Sequence, residues 1–212
     1  MALLSVSTEE MRPIALTLNL FVSAIACWRF TRGDRFNTAL FGWLAISAIP
    51  MAYLGGQIAL PASWYRPVVG AVLLFAALQL LWQPRRLVQR PVRMPPWPLL
   101  LAVGALLGLL AGLTGTGGGI FLSPLLILAA WAGTRETAGV AAAFIFVNSA
   151  AGLAGTLSSF GAFPPAMPLF VAAVVVGGFI GSWLSAARLP RTAMLRLLSV
   201  VMAIAGVKLL VG

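Results

Sequence analysis

The chain has 212 residues, of which 61% are hydrophobic and 8% are charged, against about 25% charged residues in soluble domains. This composition excludes an ordinary soluble domain and predicts an all-α, polytopic transmembrane helical bundle, because a span in lipid must satisfy its own backbone hydrogen bonds. The net charge of +10 sits mostly on Arg in short loops and at helix ends, which favours membrane orientation over nucleic-acid binding. The absence of His and the single Cys27 exclude histidine catalysis, histidine-ligated metals and an internal disulfide.

Eight apolar runs separated by polar breaks are predicted to be helical spans. In chain order they cover 13–31, 38–60, 66–82, 97–114, 120–132, 137–157, 166–187 and 192–211. The segment 83–96, QPRRLVQRPVRMPP, carries four Arg and four Pro and is predicted to be a basic interfacial linker rather than a helix. We therefore divide the chain into a first repeat over 1–82, the linker 83–96 and a second repeat over 97–212.

The distribution of basic residues predicts a multi-pass protein of the inner cell membrane with a cytoplasmic linker. If residues 97–132 leave the cytoplasmic side and return to it, that side holds eleven Arg and the other side three basic residues, a clear positive-inside bias. The eleven are Arg29, Arg32, Arg35, Arg85, Arg86, Arg90, Arg93, Arg135, Arg188, Arg191 and Arg196. The other three are Arg12, Arg66 and Lys208.

The two halves resemble each other when the chain is shifted by 126 positions. TEEMRPIALTLNLFVSA (8–24) then aligns with TRETAGVAAAFIFVNSA (134–150), and Gly55 aligns with Gly181. The loops 31–36 and 157–165 are equivalent in this alignment, yet the charge count places them on opposite sides of the membrane. The sequence therefore predicts inverted-topology repeats, an architecture of many secondary transporters. Residues 97–126 have no counterpart in the first half: either the first repeat has lost this span or, as we expect, this chain begins late.

The stretch GLTGTGGGIFLSPLL (112–126) places four glycines within five residues of a membrane-like run. This density predicts a broken or re-entrant helix, whose exposed N-terminus offers unpaired N–H groups and about half a positive charge to an anion. The predicted substrate-binding residues are Thr114, Gly115, Thr116, Gly117, Gly118, Gly119 and Ser123. No Lys-Ser/Thr follows the glycines, which argues against a nucleotide phosphate loop.

Close helix packing is the alternative explanation for glycine in these helices. Gly104, Gly108 and Gly112 recur at four-residue spacing, as do Gly177, Gly181 and Ser185, and we assign both series to helix contacts.

Polar side chains inside the spans extend the predicted site. Asn148 and Ser149, with Asn19 and Ser23 at nearby positions of the first repeat, are candidates for contact with the substrate, and interhelical hydrogen bonding is the alternative. Glu10 and Glu136 match in the repeat and are interpreted as helix caps, with gates as the alternative. The four acids all lie at span ends, which argues against a buried proton relay and against a membrane-embedded enzyme.

These residues resemble a known family. The glycine stretch, Gly133 and FIFVNSAAGLAG (144–155) look like the second-half signature of the TauE/SafE sulfite-exporter family, and ALTLNLFVSAIACWRF (15–30) with YLGGQIALP (53–61) is similar to its first half. The family carries a glycine motif in both halves, and this chain has only the second. The resemblance implies a permease for small sulfur-containing anions such as sulfite, thiosulfate or an organosulfonate.

The resulting hypothesis is an exporter that works by alternating access, without a cofactor or metal. Its partners would be the anion and the lipid bilayer, with no nucleic acid. Import of the same anions, or a non-transporting membrane assembly subunit, are the alternatives. The sequence leaves the oligomeric state open, a homo-oligomer included.

Overall fold

A computed structural model describes residues 8–31, 36–58, 61–81, 92–157, 167–187, 199–200, 203–204, 206–208 and 210–211. All regular structure in these residues is helical. The helices are α1 (Thr8–Thr31), α2 (Thr38–Gln57), α3 (Ala62–Leu81), α4 (Trp97–Thr114), α5 (Gly119–Leu128), α6 (Thr134–Leu157) and α7 (Met167–Ala187), and the described positions of 203–211 are also helical. The predicted all-helical architecture is confirmed.

Three helices of the described part are long and apolar enough to cross a membrane. They are Thr38–Gln57, Trp97–Thr114 and Glu136–Leu157. Arg12–Trp28 and Met167–Gly178 are apolar but shorter stretches. The protein is thus a helical membrane bundle.

The chain forms two compact units, and each takes segments from both halves of the sequence. One contains Arg12–Ala59 and Arg86–Phe163, and the other contains Met1–Met11, Leu60–Arg85 and Pro164–Gly212. In the first unit α2 packs on α4 and α6, and α6 also packs on α4 and α5. Its core is built from buried side chains of α2, α4, α5 and α6, among them Leu44, Leu107, Leu122 and Phe144.

In the second unit, α3 approaches the C-terminal helical residues through a pair of glycines. A Cβ on Gly70 would lie 2.9 Å from the carbonyl oxygen of Gly206 and 2.9 Å from Cγ of Leu210. The predicted packing role of Gly177 is not found, because no described atom lies within 4 Å of its Cβ position. Gly181 and Ser185 lie outside the side chains that the structure describes, so their predicted role stays a prediction.

The small-residue spacing of α4 does serve helix packing. A Cβ on Gly104, Gly108 or Gly112 would collide with the backbone of α2. The α2 residues met are themselves spaced four apart: Leu44, Ala48 and Ala52. Removing side chains along one stripe lets the two backbones approach closely, and this is how small-residue repeats join membrane helices.

Local signals explain most helix ends. Asn37 caps α2 by accepting a hydrogen bond from the N–H of Leu40 at 2.9 Å. Pro96 precedes α4, and Gly115 ends it in a left-handed conformation with φ 75°, the usual distribution of proline and glycine at helix ends. The carboxylate of Glu136 accepts from the N–H of Gly133 at 3.2 Å, so Glu136 acts as a cap of α6. The side chain of Glu10 lies outside the described residues.

The predicted span 120–132 is shorter in the structure, where α5 ends at Leu128. Ala130 adopts a left-handed conformation with φ 54°, and the N–H of Trp131 donates to the carbonyl of Leu126 at 2.9 Å. This arrangement is the Schellman ending of a helix, which usually has glycine at the left-handed position. Since alanine stands there, the sequence did not signal the stop.

Most of the predicted linker, residues 83–91, lies outside the described residues. Its last residues, 92–96, are not helical. They are fixed by a hydrogen bond from the N–H of Arg93 to the carbonyl oxygen of Ala130 at 2.9 Å. The loops 32–35 and 158–166, which carry much of the topology argument, also lie outside the described part, so the inverted repeat stays a prediction.

Candidate functional site

The glycine stretch interrupts the helix between α4 and α5, as the sequence predicted. Gly115, Gly117 and Gly118 have φ of 75°, 70° and 76°, which is the left-handed region that glycine enters without a steric cost. α4 ends at Thr114 and α5 begins at Gly119. The dense glycines therefore make a turn that residues with side chains could adopt only under strain.

The turn leaves a run of backbone donors unused. Within the described residues, the N–H groups of residues 116–120 donate to no carbonyl or side chain, whereas the N–H of Phe121 and of Leu122 donate to the carbonyl of Gly118. Consecutive N–H groups in a turn with left-handed residues, placed at the start of a helix, form a concave site for an anion. We call residues 115–119 the glycine segment.

Helix α6 covers the glycine segment on one side. A Cβ on Gly117 would lie 2.8 Å from Cγ2 of Ile145 and 3.0 Å from Oγ of Ser149. A Cβ on Gly118 would lie 3.0 Å from Cε1 of Phe144. The backbone is thus in direct contact with α6, and any side chain on the glycine segment would displace these neighbours.

Two polar residues of α6 are fully buried and have no hydrogen-bond partner within the described residues. Both amide atoms of Asn148 and the hydroxyl of Ser149 are unpaired, and each residue is 0% exposed. Ser149 is beside Gly117. Asn148 is one turn after Phe144, which contacts Gly118, and one turn before Gly152, whose Cβ position lies 3.4 Å from Cα of Gly112, so it is on the face of α6 that is turned toward the end of α4.

Helix α1 holds the glycine segment from another side. The amide nitrogen of Asn19 donates to the carbonyl of Gly115 at 3.1 Å and lies 3.5 Å from the Cβ position of Gly117. Ser23, predicted beside it, donates instead to the carbonyl of Asn19 at 2.5 Å. The structure therefore brings Asn19, Ser149 and the glycine segment together, and Ser23 is hydrogen-bonded within its own helix.

The hydroxyls of Thr114 and Thr116 are 2.9 Å apart. Thr114 donates its proton to the carbonyl of Leu110 at 2.6 Å, so Thr116 is the donor of the pair, since a hydroxyl has one proton. Ser123 is half-buried, one turn further along α5 than Gly119. The free donors of the site are thus the backbone N–H groups and the α6 side chains rather than the threonines.

Arg12 is a residue that the sequence reasoning missed, because it was counted among the charges at the membrane surface. It is 7% exposed, and its guanidinium donates to the carbonyls of Gly55, Gly56 and Ile58, the last at 2.7 Å. These carbonyls form the C-terminal end of α2, where a cation is stabilised by the helix dipole. One signal in the sequence could have indicated this role of Arg12: the carbonyls of the Gly55–Gly56 pair need a hydrogen-bond donor.

The same arginine touches the glycine segment. A Cβ on Gly115 would lie 3.1 Å from Cγ of Arg12. The hydroxyl of Thr156 shares the carbonyl of Gly56 with Arg12, at 3.2 Å. Arg12 thereby joins α1, the end of α2 and the start of the glycine segment, and it brings a positive charge close to that segment.

The described residues hold no group of three or more metal-ligating side chains. The fold defines a helical membrane protein in which a broken helix carries unused backbone N–H groups beside the buried hydroxyl of Ser149. The chain belongs to the sulfite exporter TauE/SafE family, whose model matches residues 1–209.

The chain is also similar to an individual membrane protein. It is the "Probable membrane transporter protein y4hK" of Sinorhizobium fredii (strain NBRC 101917 / NGR234), 35% identical over 213 residues, which cover 99% of this chain and 86% of the relative. No solved structure matches the chain significantly. Family and relative both indicate a membrane transporter rather than an enzyme.

Proposed function

We propose that this membrane transporter carries small sulfur-containing oxyanions, namely sulfite, thiosulfate or an organosulfonate, and exports them by alternating access. The observation that supports the proposal is the conjunction of unused N–H groups at residues 116–120 with the unpaired side chains of Asn148 and Ser149. An unpaired buried polar group costs about 1–3 kcal/mol. A ligand that accepts these hydrogen bonds would recover that free energy.

The chemistry of the site favours an anion over a cation. The donors are backbone N–H groups at the start of α5, which carries about half a positive charge. No acidic residue occurs in 97–128 or 137–157, the segments that form the turn and most of α6. Arg12 adds a positive potential from the end of α2.

Export follows from the energetics of charge movement. Under an inside-negative potential, one negative charge leaving the cell gains about 2.3 kcal/mol per 100 mV. The positive-inside count supports an inner-membrane location with the 83–96 linker in the cytoplasm. Substrate lining is proposed for Asn19, Asn148, Ser149 and the glycine segment.

The test is anion flux in proteoliposomes, comparing sulfite, thiosulfate, methanesulfonate, sulfate and chloride. We expect flux of at least one sulfur oxyanion, abolished by Gly118→Leu, because a side chain there meets Phe144 and Ala111. Gly178→Leu is the matched control, since no described atom lies within 4 Å of that Cβ position. Absence of flux for every anion, in protein shown to be folded, would contradict the proposal.

A further inference from the structure

The amide of Asn148 has both a donor and an acceptor that need hydrogen-bond partners. Its Nδ2 donor and its Oδ1 acceptor are both buried and both without a partner among the described residues. The two atoms lie side by side at the end of one planar group, so reversing the amide exchanges them and leaves the same pair of requirements. A ligand that only accepts hydrogen bonds satisfies Nδ2 and leaves Oδ1 unpaired.

The structure thus points to a ligand that presents an acceptor oxygen next to an O–H group. We infer that the site selects an oxyanion in its singly protonated, singly charged form, and that Asn148 recognises the O–H and the neighbouring oxygen together. This inference rests on the proposed function and narrows it to sulfite as the preferred substrate, because thiosulfate and organosulfonates are fully ionised near neutral pH and carry no O–H. The remaining oxygens of such an anion accept from the N–H groups of residues 116–120 and from the hydroxyl of Ser149.

The charge around the site supports a single negative charge. The desolvation cost of an ion rises with the square of its charge, and the elements forming the turn supply partial charges only. The cationic side chain that contacts the glycine segment is Arg12, whose guanidinium donates to the carbonyls of Gly55, Gly56 and Ile58. A dianion would therefore be undercompensated at this site.

Few titratable groups of the protein could produce a pH dependence of flux that would be mistaken for titration of the substrate. No charged residue occurs in α2, α4 or α5. The charged or titratable residues of the helices surrounding it are Glu9, Glu10, Arg12, Cys27 and Arg29 on α1, Tyr53 on α2, and Arg135 and Glu136 on α6. Glu136 accepts from Gly133 at the first turn of α6, three turns before Asn148.

The experiment measures initial flux of sulfite, at constant total concentration, across its second ionisation. If the transported species is the monoanion, flux falls about tenfold between one pH unit below and one above that pKa. Methanesulfonate, a permanent monoanion without O–H, reports pH effects on the protein itself and should give a flat profile. Flux into protein-free liposomes is subtracted at each pH, because the neutral acid crosses lipid.

The variant Asn148→Leu removes both amide functions at similar volume. It should reduce sulfite flux about tenfold, the equivalent of two neutral hydrogen bonds, and reduce methanesulfonate flux less. Its thermal unfolding temperature should not fall, because the side chain loses no partner.

Four outcomes would overturn the inference. Sulfite flux that rises with pH, or sulfate carried as well as sulfite, would show that dianions are accepted while anion transport itself stands. Equal losses for sulfite and methanesulfonate in Asn148→Leu would show that Asn148 does not recognise the O–H. If wild-type protein moved no anion at any pH, the proposed function would fail together with the inference.

Discussion

Hydroxyl side chains in the first unit behave in two different ways. Thr17, Ser23 and Thr156 each donate to the carbonyl four residues earlier, at 2.8, 2.5 and 2.8 Å, as Ser and Thr commonly do in helices. Ser149 is fully buried and makes no such bond, and its Oγ is beside Gly117. Its position is therefore better suited to binding than to holding the helix.

Ser149→Ala should separate these roles. Removing a buried hydroxyl that has no partner should leave the free energy of unfolding unchanged or raise it, while oxyanion flux falls about fivefold through the loss of one neutral hydrogen bond. Thermal unfolding in detergent and proteoliposome flux measure the two effects.

Thr156→Val is the matched control for Ser149→Ala. Its hydroxyl bonds the carbonyls of Gly152 and Gly56, so its loss should destabilise the protein by about 1 kcal/mol. A larger destabilisation by Ser149→Ala than by Thr156→Val would refute a binding role for Ser149.

For single residues, the sequence predicted where the helix breaks, but it predicted less well which polar side chains are buried and what they contact. Four glycines within Gly115–Gly119 are too dense for a helix, and the turn is found there. Arg12 was unpredictable from its neighbours, because its partners at the end of α2 are more than 40 residues away in the chain. Whether a polar side chain such as Asn148 finds a partner likewise depends on contacts that local sequence does not encode.

At the level of whole elements, α4 is attached to α2 through its glycine stripe. A Cβ on Gly108 would lie 2.6 Å from Cα of Ala48, a distance at which the backbones must separate. Gly42 is a helical glycine of α2 with no described atom within 4 Å of its Cβ position. The two positions share residue type and helical conformation and differ in packing.

Gly108→Ala should therefore destabilise the protein by about 1–3 kcal/mol through overpacking, whereas Gly42→Ala should stabilise it by up to about 1 kcal/mol through helix propensity. Thermal or denaturant unfolding in detergent compares them directly. Equal effects at the two positions would mean that α2 and α4 do not pack as described.

Helix bounds were predictable where the chain carries its own stop signals. α4 runs over the predicted residues 97–114, between Pro96 and Gly115. α5 was predicted four residues too long, because its left-handed terminal position is Ala130. The left-handed conformation of Ala130 costs free energy, but it allows Trp131 to pack against the core of the first unit. Tertiary packing of this kind cannot be seen in a local sequence pattern.

For the molecule as a whole, the bounds of two helices agree with the predicted repeat. α1 and α6 each contain 24 residues, and their first and last residues are separated by the alignment offset. Equal helices are what a repeat would produce, although the opposite orientation of the two copies depends on loops outside the described residues. Neither composition nor helix length determines that orientation.

A cysteine pair at equivalent positions tests the orientation. Cys27 is the sole cysteine, so Cys27→Ser provides a background in which Gly33→Cys and Ser159→Cys, 126 residues apart, are labelled singly. We expect a membrane-impermeant maleimide to reach Gly33→Cys from the cytoplasmic side and Ser159→Cys from the opposite side, in vesicles of known orientation. Labelling of both from one side would exclude inverted repeats.

The bond between Arg93 and Ala130 has a mechanical consequence. It fastens the end of the linker to one end of α5, a ten-residue helix about 15 Å long, whose other end is the glycine segment. Left-handed backbone flanks the helix at both ends, at Gly118 and at Ala130. A pull on the linker would therefore act on α5 at the end opposite the glycine segment.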